Sequence, residues 1–173
     1  MNTLPLIALA LSASVCWASL CGTKKELKIG DKAPEFLLMD KDGIQHSLSE
    51  WRGKKIALYF YPKDNTSNCT QQACNIRDNF EDLTENNIII IGLSKGSKKS
   101  KANFADEHHL PFPLLLVTND TLKDYGVNGG LFRFFIPKRR TFLINEKGII
   151  VAIIKNIDTK NHARQILNGF NNN

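Results

Sequence analysis

Apolar residues occur along the chain either in short continuous runs or at helical spacing. Two runs, residues 56–61 and 88–91, have the length of a strand and hold almost no polar side chain, which is typical of strands buried on both faces of a sheet. Between them, residues 67–85 carry apolar side chains every three or four positions, which predicts a helix with one apolar face. This order of strand, helix and strand indicates an α/β protein.

Further elements are predicted on both sides of this unit. Polar turns join residues 35–39 to 44–48 and residues 141–144 to 149–154, so each pair predicts a β-hairpin. A third inner strand is predicted at residues 114–117. Helices are expected at residues 100–109, 121–125 and 158–170, the last of them capped by Asp158. With no interdomain linker or internal repeat, these elements predict one α/β domain with a mixed central sheet, flanking helices and an N-terminal hairpin.

The first 23 residues contain no charged side chain, and their apolar part, residues 4–11, is followed by small residues. This pattern is typical of a secretory signal peptide, here with a cleavage site after Ala18. A lipid anchor on Cys21 and a membrane-anchoring helix are alternatives that the sequence leaves open. We predict that residues 24–173 form the domain. The protein is then periplasmic or membrane-anchored if the segment is a signal, and cytoplasmic otherwise.

Composition narrows the class of protein. The 173 residues include 23 Lys and Arg against 17 Asp and Glu, which gives a net charge of +6, and 42% of them are hydrophobic. These values exclude a disordered or collagen-like chain, and four cysteines are too few for a small disulfide scaffold. The basic segment 95–101 is interpreted as a solvated loop, because no base-reading or aromatic residues accompany it to indicate nucleic-acid binding.

The body of the domain contains two cysteines, Cys69 and Cys74. Cys69 follows a buried strand and a short loop, so it lies in the first turn of the predicted helix. There the free N–H groups and the helix dipole favour the thiolate over the thiol, and Thr66 can direct its hydroxyl to the same point. The cysteine spacing is unlike a zinc motif, so no metal site is expected. The four histidines are expected to be surface or helix-cap residues: His46, His108, His109 and His162.

The segment from Pro62 to Cys74 resembles the active site of a peroxiredoxin. In that family a proline is followed by three residues, a Thr or Ser, two residues and a cysteine, and Pro62, Thr66 and Cys69 match this pattern. Cys74 is similar in position to the second cysteine of the bacterioferritin comigratory protein, or PrxQ, group. The resemblance covers most of residues 27–170. It includes three further segments in order: residues 27–36, 110–115 and 138–144.

The resemblance implies a thioredoxin-like fold and a thiol-dependent peroxidase acting on hydrogen peroxide and organic hydroperoxides. Cys69 would be the peroxidatic cysteine, Thr66 would hydrogen-bond the peroxide, and Pro62 would shield the thiolate from water. The essential arginine of the family would be Arg139, with Arg140 as the alternative one position further on. No metal, haem, flavin or other cofactor is implied.

Cys74 would resolve the sulfenic acid by forming an intramolecular disulfide with Cys69, which thioredoxin or a similar dithiol protein would reduce. No partner subunit is needed for this step, so a monomer is expected. Positions five apart in an intact helix have Cα atoms about 8–9 Å apart, which exceeds the limit of about 7 Å for a disulfide. The first turns of the helix are therefore expected to unwind during catalysis.

Two other classes of protein remain as alternatives. An exported thiol–disulfide oxidoreductase of the thioredoxin-like type needs two cysteines separated by two residues, whereas four residues separate these. A non-enzymatic binding protein with the same fold would use its cysteines only for packing. One aromatic segment is interpreted as core packing, with an apolar lip over the site as its alternative: Phe132, Phe134, Phe135 and Ile136.

Overall fold

Seven strands form one mixed sheet in the computed structural model, which describes residues 26–129 and 136–172. The strand order is β2-β1-β5-β4-β3-β6-β7; β4 is parallel to both β3 and β5, and the other pairs are antiparallel. The bounds are β1 Leu37–Met39, β2 Gln45–Ser47, β3 Lys55–Phe60, β4 Ile88–Ser94, β5 Leu114–Leu116, β6 Arg140–Ile144 and β7 Ile150–Ile154. The predicted mixed sheet with its N-terminal hairpin is confirmed.

Five α-helices and one short 3₁₀ helix flank the sheet in the same described residues. No helix in residues 26–129 and 136–172 combines the length and apolar composition needed to cross a membrane. The predicted signal or anchor segment, residues 1–23, lies outside the described residues, as do Phe132, Phe134 and Phe135. The helices are α1 Ser67–Asp78, α2 Phe80–Glu85, α3 Lys98–Glu107, α4 Asn119–Asp124 and α5 His162–Asn171, and the 3₁₀ helix is Leu48–Trp51.

Strand β3 lies inside the sheet and separates two apolar clusters. Because successive side chains of a strand point to opposite faces, Leu58 and Phe60 join one cluster whereas Ala57 and Tyr59 join the other. The second cluster also contains the buried faces of α1, α2, α3 and α5. The continuous apolar run predicted as a doubly buried strand therefore has the surroundings that its composition requires.

The helix predicted over residues 67–85 is divided in two by Asn79. The backbone of Asn79 leaves helical geometry, with φ −117° and ψ 23°, and its Nδ2 donates to the carbonyl of Asn75 at 2.8 Å. Asparagine side chains compete in this way with the helical hydrogen bonds of the main chain. As a result α1, which carries both cysteines, ends at Asp78 and is separate from α2.

The last helix begins later than its capping residue predicts. Instead of capping a helix directly, the Asp158 carboxylate accepts the N–H of Lys160 at 2.9 Å and the side-chain amide of Asn161 at 2.9 Å. These bonds stabilise a turn, and α5 starts only at His162. The segment before α5 is therefore ordered by its own hydrogen bonds, and it lies against α1, to which Asn75 connects it.

The expectation that the histidines are surface or cap residues is wrong for His162, whose side chain is completely buried and which follows Asn161, the N-cap of α5. Its Nε2 lies 3.1 Å from the hydroxyl of Thr141, and its ring is 6.4 Å from that of Tyr59. Burial, assisted by the charge of Arg139, lowers the pKa of His162 from 6.5 to about 4. The side chain is therefore neutral at pH 7. It is part of the core next to Thr141 and Tyr59.

Buried His162 predicts an acid-sensitive contribution to stability. The unfolded chain binds a proton at this residue below about pH 6.5, whereas the folded chain does so only near pH 4. The free energy of unfolding therefore decreases as the pH is lowered from 6.5 towards 4. Between pH 7 and pH 5 we expect a loss of about 2 kcal/mol from this residue. The loss should disappear in His162→Gln when urea unfolding is compared at the two pH values. Equal pH dependence in both proteins would contradict the assignment.

Candidate active site

The junction between β3 and α1 holds Cys69 at the start of a helix. Strand β3 ends at Phe60, a loop follows, and Thr66 caps α1 with extended backbone angles. The Thr66 carbonyl accepts the N–H groups of Cys69 at 2.9 Å and Thr70 at 2.8 Å. Cys69 is only 2% exposed, so the positive end of the helix acts on its sulfur with little screening by solvent.

Arg139, the residue just before strand β6, reaches the same sulfur. β6 is antiparallel to β3 with Phe60 opposite Arg140, so the residue just before β6 lies at the end of β3 from which the loop to Cys69 departs. Its Nη2 donates to the Cys69 Sγ at 3.1 Å. Arg140 instead lies 3.6 Å from the carboxylate of Glu26. Of the two adjacent arginines, it is therefore Arg139 that the fold brings to the thiol.

Gln72 holds the guanidinium from the other side and was not predicted from the sequence. It lies one turn after Cys69 on α1 and is fully buried, and its Oε1 accepts a hydrogen bond from Nη1 of Arg139. Residues three apart share a helix face, so a glutamine at this spacing on an otherwise apolar face was the available signal. Arg139 is consequently fixed between two α1 side chains.

Pro62 and Thr66 line a cleft beside Arg139. The Thr66 hydroxyl donates to the carbonyl of Lys63 at 3.1 Å and makes no side-chain bond to the start of α1. Ile136 is 42% exposed at this cleft and so is not a core residue. The cleft has a volume of about 650 Å³ and is lined by Pro62, Lys63, Thr66, Gly129, Ile136, Pro137, Lys138 and Arg139.

A buried ion pair supports the loop that carries these residues. The Lys101 ammonium lies 2.8 and 2.9 Å from the two carboxylate oxygens of Asp64, which also accept the hydroxyls of Tyr61 and Ser100, each at 2.7 Å. Burial alone would raise the pKa of Asp64, but the charge of Lys101 and these hydrogen bonds lower it. The expectation of a solvated loop is therefore wrong for Lys101, whose side chain is completely buried.

Cys74 lies further along the same helix and is partly buried. Both cysteines are free, and α1 continues unbroken through both. The helix keeps their Cα atoms about 8–9 Å apart, too far for a disulfide. The described part of the chain contains no group of three or more His, Cys, Asp or Glu side chains placed to hold a metal ion.

Cys69 lies in the first turn of a helix and is paired with Arg139, which precedes the strand that neighbours β3 in the sheet. This arrangement defines a thiol-based redox site on an α/β sheet. Residues 29–153 match the model of the AhpC/TSA family. Peroxiredoxin Bcp of Bacillus subtilis is 34% identical over 151 residues, which cover 82% of this chain and 93% of that protein. The chloroplastic peroxiredoxin Q of Triticum aestivum is 38% identical over 138 residues, 79% of this chain and 62% of that longer one.

Solved structures agree with these relatives. The crystal structure of peroxidoxin BcpB from Mycobacterium tuberculosis superposes with a TM-score of 0.79 at 28% identity, over 85% of this chain and 98% of that one. A PrxQ of Xylella fastidiosa gives a TM-score of 0.77 at 26% identity, over 86% and 98%. The chain therefore belongs to the AhpC/TSA family and is a peroxiredoxin similar to the Bcp and PrxQ proteins. The predicted thioredoxin-like fold and thiol-dependent peroxidase class are confirmed, against the two alternative classes.

Proposed function

We propose that this peroxidase reduces hydrogen peroxide and organic hydroperoxides at Cys69 and completes each cycle through a Cys69–Cys74 disulfide. The observation that carries the proposal is the 3.1 Å hydrogen bond from the Arg139 guanidinium to the Cys69 sulfur at the start of α1. Thioredoxin or a similar dithiol protein then reduces the disulfide. The shape of the cleft supports both kinds of peroxide, because a space of about 650 Å³ beside Arg139 accommodates an alkyl group.

In the first step the Cys69 thiolate attacks the terminal oxygen of the peroxide. The S–O bond forms as the O–O bond breaks, giving sulfenic acid and an oxyanion that takes a proton to leave as water or alcohol. Arg139 stabilises the thiolate and directs N–H groups at the reacting oxygens. Thr66, on the wall of the cleft, has oxygen lone pairs available for the peroxide hydrogen. Pro62 limits the access of water.

In the second step Cys74 reaches the oxidised sulfur after α1 unwinds locally. The Cys74 thiolate attacks the sulfenic sulfur, the S–S bond forms, and hydroxide leaves and is protonated. Because both cysteines belong to one helix of one chain, the step needs no second subunit, which supports a monomer.

The uncharged N-terminal segment supports export, and mass spectrometry of the mature N-terminus tests that part of the proposal.

The chemistry is tested by intact mass after one equivalent of hydrogen peroxide without reductant. The wild-type protein should lose about 2 Da as the disulfide forms, whereas Cys74→Ser should gain about 16 Da as sulfenic acid on the Cys69 peptide. Only the wild type should then be reduced by thioredoxin with release of two thiols. Oxidation found at neither cysteine would refute the proposal.

A further inference from the structure

The contacts that hold α1 in its helical form bear directly on the second step of the proposed function, on which this inference rests. α1 is fixed to the core by its apolar face, where Ala73 and Ile76 are buried. Polar contacts near Cys74 join α1 to Thr159 and Lys160, which precede α5, and to Ala163 in its first turn. These polar contacts must break if the helix around Cys74 is to unwind.

Asn75, the residue after Cys74, joins α1 to the start of α5 through both ends of its amide. Its Nδ2 donates to the carbonyl of Lys160 at 2.7 Å, and its Oδ1 accepts the N–H of Ala163 at 2.9 Å. Both partners lie more than eighty residues away in the sequence. While α1 is helical, the side chain of Asn75 is therefore hydrogen-bonded to main-chain groups outside α1.

The position of Ala163 gives this contact a second role. The first N–H groups of a helix have no partner within the helix, and Asn161, at the N-cap of α5, makes no side-chain bond to them. Asn75 supplies the missing acceptor from a different helix. One turn earlier on α1, the hydroxyl of Thr159 donates to Gln71 at 2.5 Å. The start of α5 and the middle of α1 are thus stabilised together.

We propose that Asn75 is a positioning residue that sets how readily Cys74 reaches the oxidised Cys69. While Asn75 keeps α1 helical, the sulfenic acid of Cys69 stays in the active site. A second peroxide molecule can then transfer one oxygen to it, which gives sulfinic acid and releases water or alcohol. When Asn75 releases Lys160 and Ala163, Cys74 can attack and water is lost instead. The amide of Asn75 therefore sets the partition between disulfide and sulfinic acid.

Asn75→Ala removes both hydrogen bonds and leaves Cys69 and Arg139 untouched. We expect unwinding to become about tenfold easier, so the disulfide should form about tenfold faster after one equivalent of hydrogen peroxide. In excess peroxide the yield of sulfinic acid should fall by a similar factor. Rapid mixing, acid quench, thiol alkylation and mass spectrometry measure disulfide and sulfinic acid in one sample, and the initial oxidation of Cys69 should keep the wild-type rate.

Two variants separate this role from a general loss of stability. Asn86→Ala removes a comparable 2.7 Å bond to the carbonyl of Asp82 at the end of α2, and Ile150→Val weakens the apolar cluster on the other face of the sheet. Both should form the disulfide at the wild-type rate. Asn75→Asp keeps an acceptor for Ala163 and should give an intermediate rate.

Hydrogen exchange gives an independent readout. The Ala163 amide should be protected in the reduced protein and lose protection when the disulfide forms. An unchanged disulfide rate in Asn75→Ala, or the same acceleration in Ile150→Val, would overturn this inference while the proposed function stands. A wild-type protein that forms no Cys69–Cys74 disulfide would overturn the proposed function and this inference with it.

Discussion

Arg139→Gln is expected to slow the oxidation of Cys69 by hydrogen peroxide about 10²- to 10³-fold, the cost of removing a preorganised donor from a developing anion. The loss follows from the 3.1 Å bond between Nη2 and the sulfur. Without the guanidinium, the thiolate loses its paired charge and the peroxide oxygens lose a donor. Stopped-flow measurement of the second-order rate constant at pH 7 gives the effect directly.

Arg140→Gln is the matched control for this prediction. The substitution removes the same charge from the adjacent residue, whose side chain pairs with Glu26 at 3.6 Å. We expect a rate within about threefold of the wild type, because a solvent-exposed charge partner contributes little. A large loss in Arg140→Gln together with a small one in Arg139→Gln would reverse the assignment of the two arginines.

Lys101→Met is expected to lower the free energy of unfolding by about 3–5 kcal/mol, because it leaves the Asp64 carboxylate buried without its cation. The carboxylate would keep the hydroxyls of Tyr61 and Ser100 but would have no charge to balance it. Asp64 lies in the loop between Pro62 and Thr66, so the oxidation rate of Cys69 should fall as well. Urea unfolding followed by circular dichroism measures the first effect.

Two companions make this prediction specific to the ion pair. Lys99→Met removes an exposed charge from the same helix and should change the unfolding free energy by about 0.5 kcal/mol or less. The double variant Asp64→Asn with Lys101→Met removes both charges and should recover most of the lost stability. If the double variant were as unstable as Lys101→Met, lost packing rather than an unpaired carboxylate would be the cause.

The sheet could be predicted from the sequence because its signals are local. The apolar runs at 56–61 and 88–91 are strand-length and bounded by turn residues, so burial on both faces follows from composition alone. Helix ends were less predictable, since they depend on single side chains. Asn79 divides the helix expected over 67–85, and Asp158 forms a turn instead of a direct cap.

The site could be predicted only in part, because its partners are far apart in the sequence. Sequence spacing left Arg139 and Arg140 as alternatives, and the pairing of Phe60 with Arg140 determines which of them contacts Cys69. The run of basic residues predicted that Lys101 is exposed to solvent, but its side chain is buried because it pairs with Asp64, 37 positions earlier. Buried polar residues are explained by partners that only the folded chain supplies.

The contact between Cys69 and Arg139 joins residues that are 70 positions apart. During synthesis at 5–20 residues per second, Arg139 therefore follows Cys69 by roughly 4–14 s. Until β3 and β6 have paired, Cys69 lacks both the guanidinium and a stable helix start, and it has only the ordinary chemistry of a cysteine in an unfolded chain. The stabilisation of the thiolate that we propose for Cys69 is thus acquired only on folding.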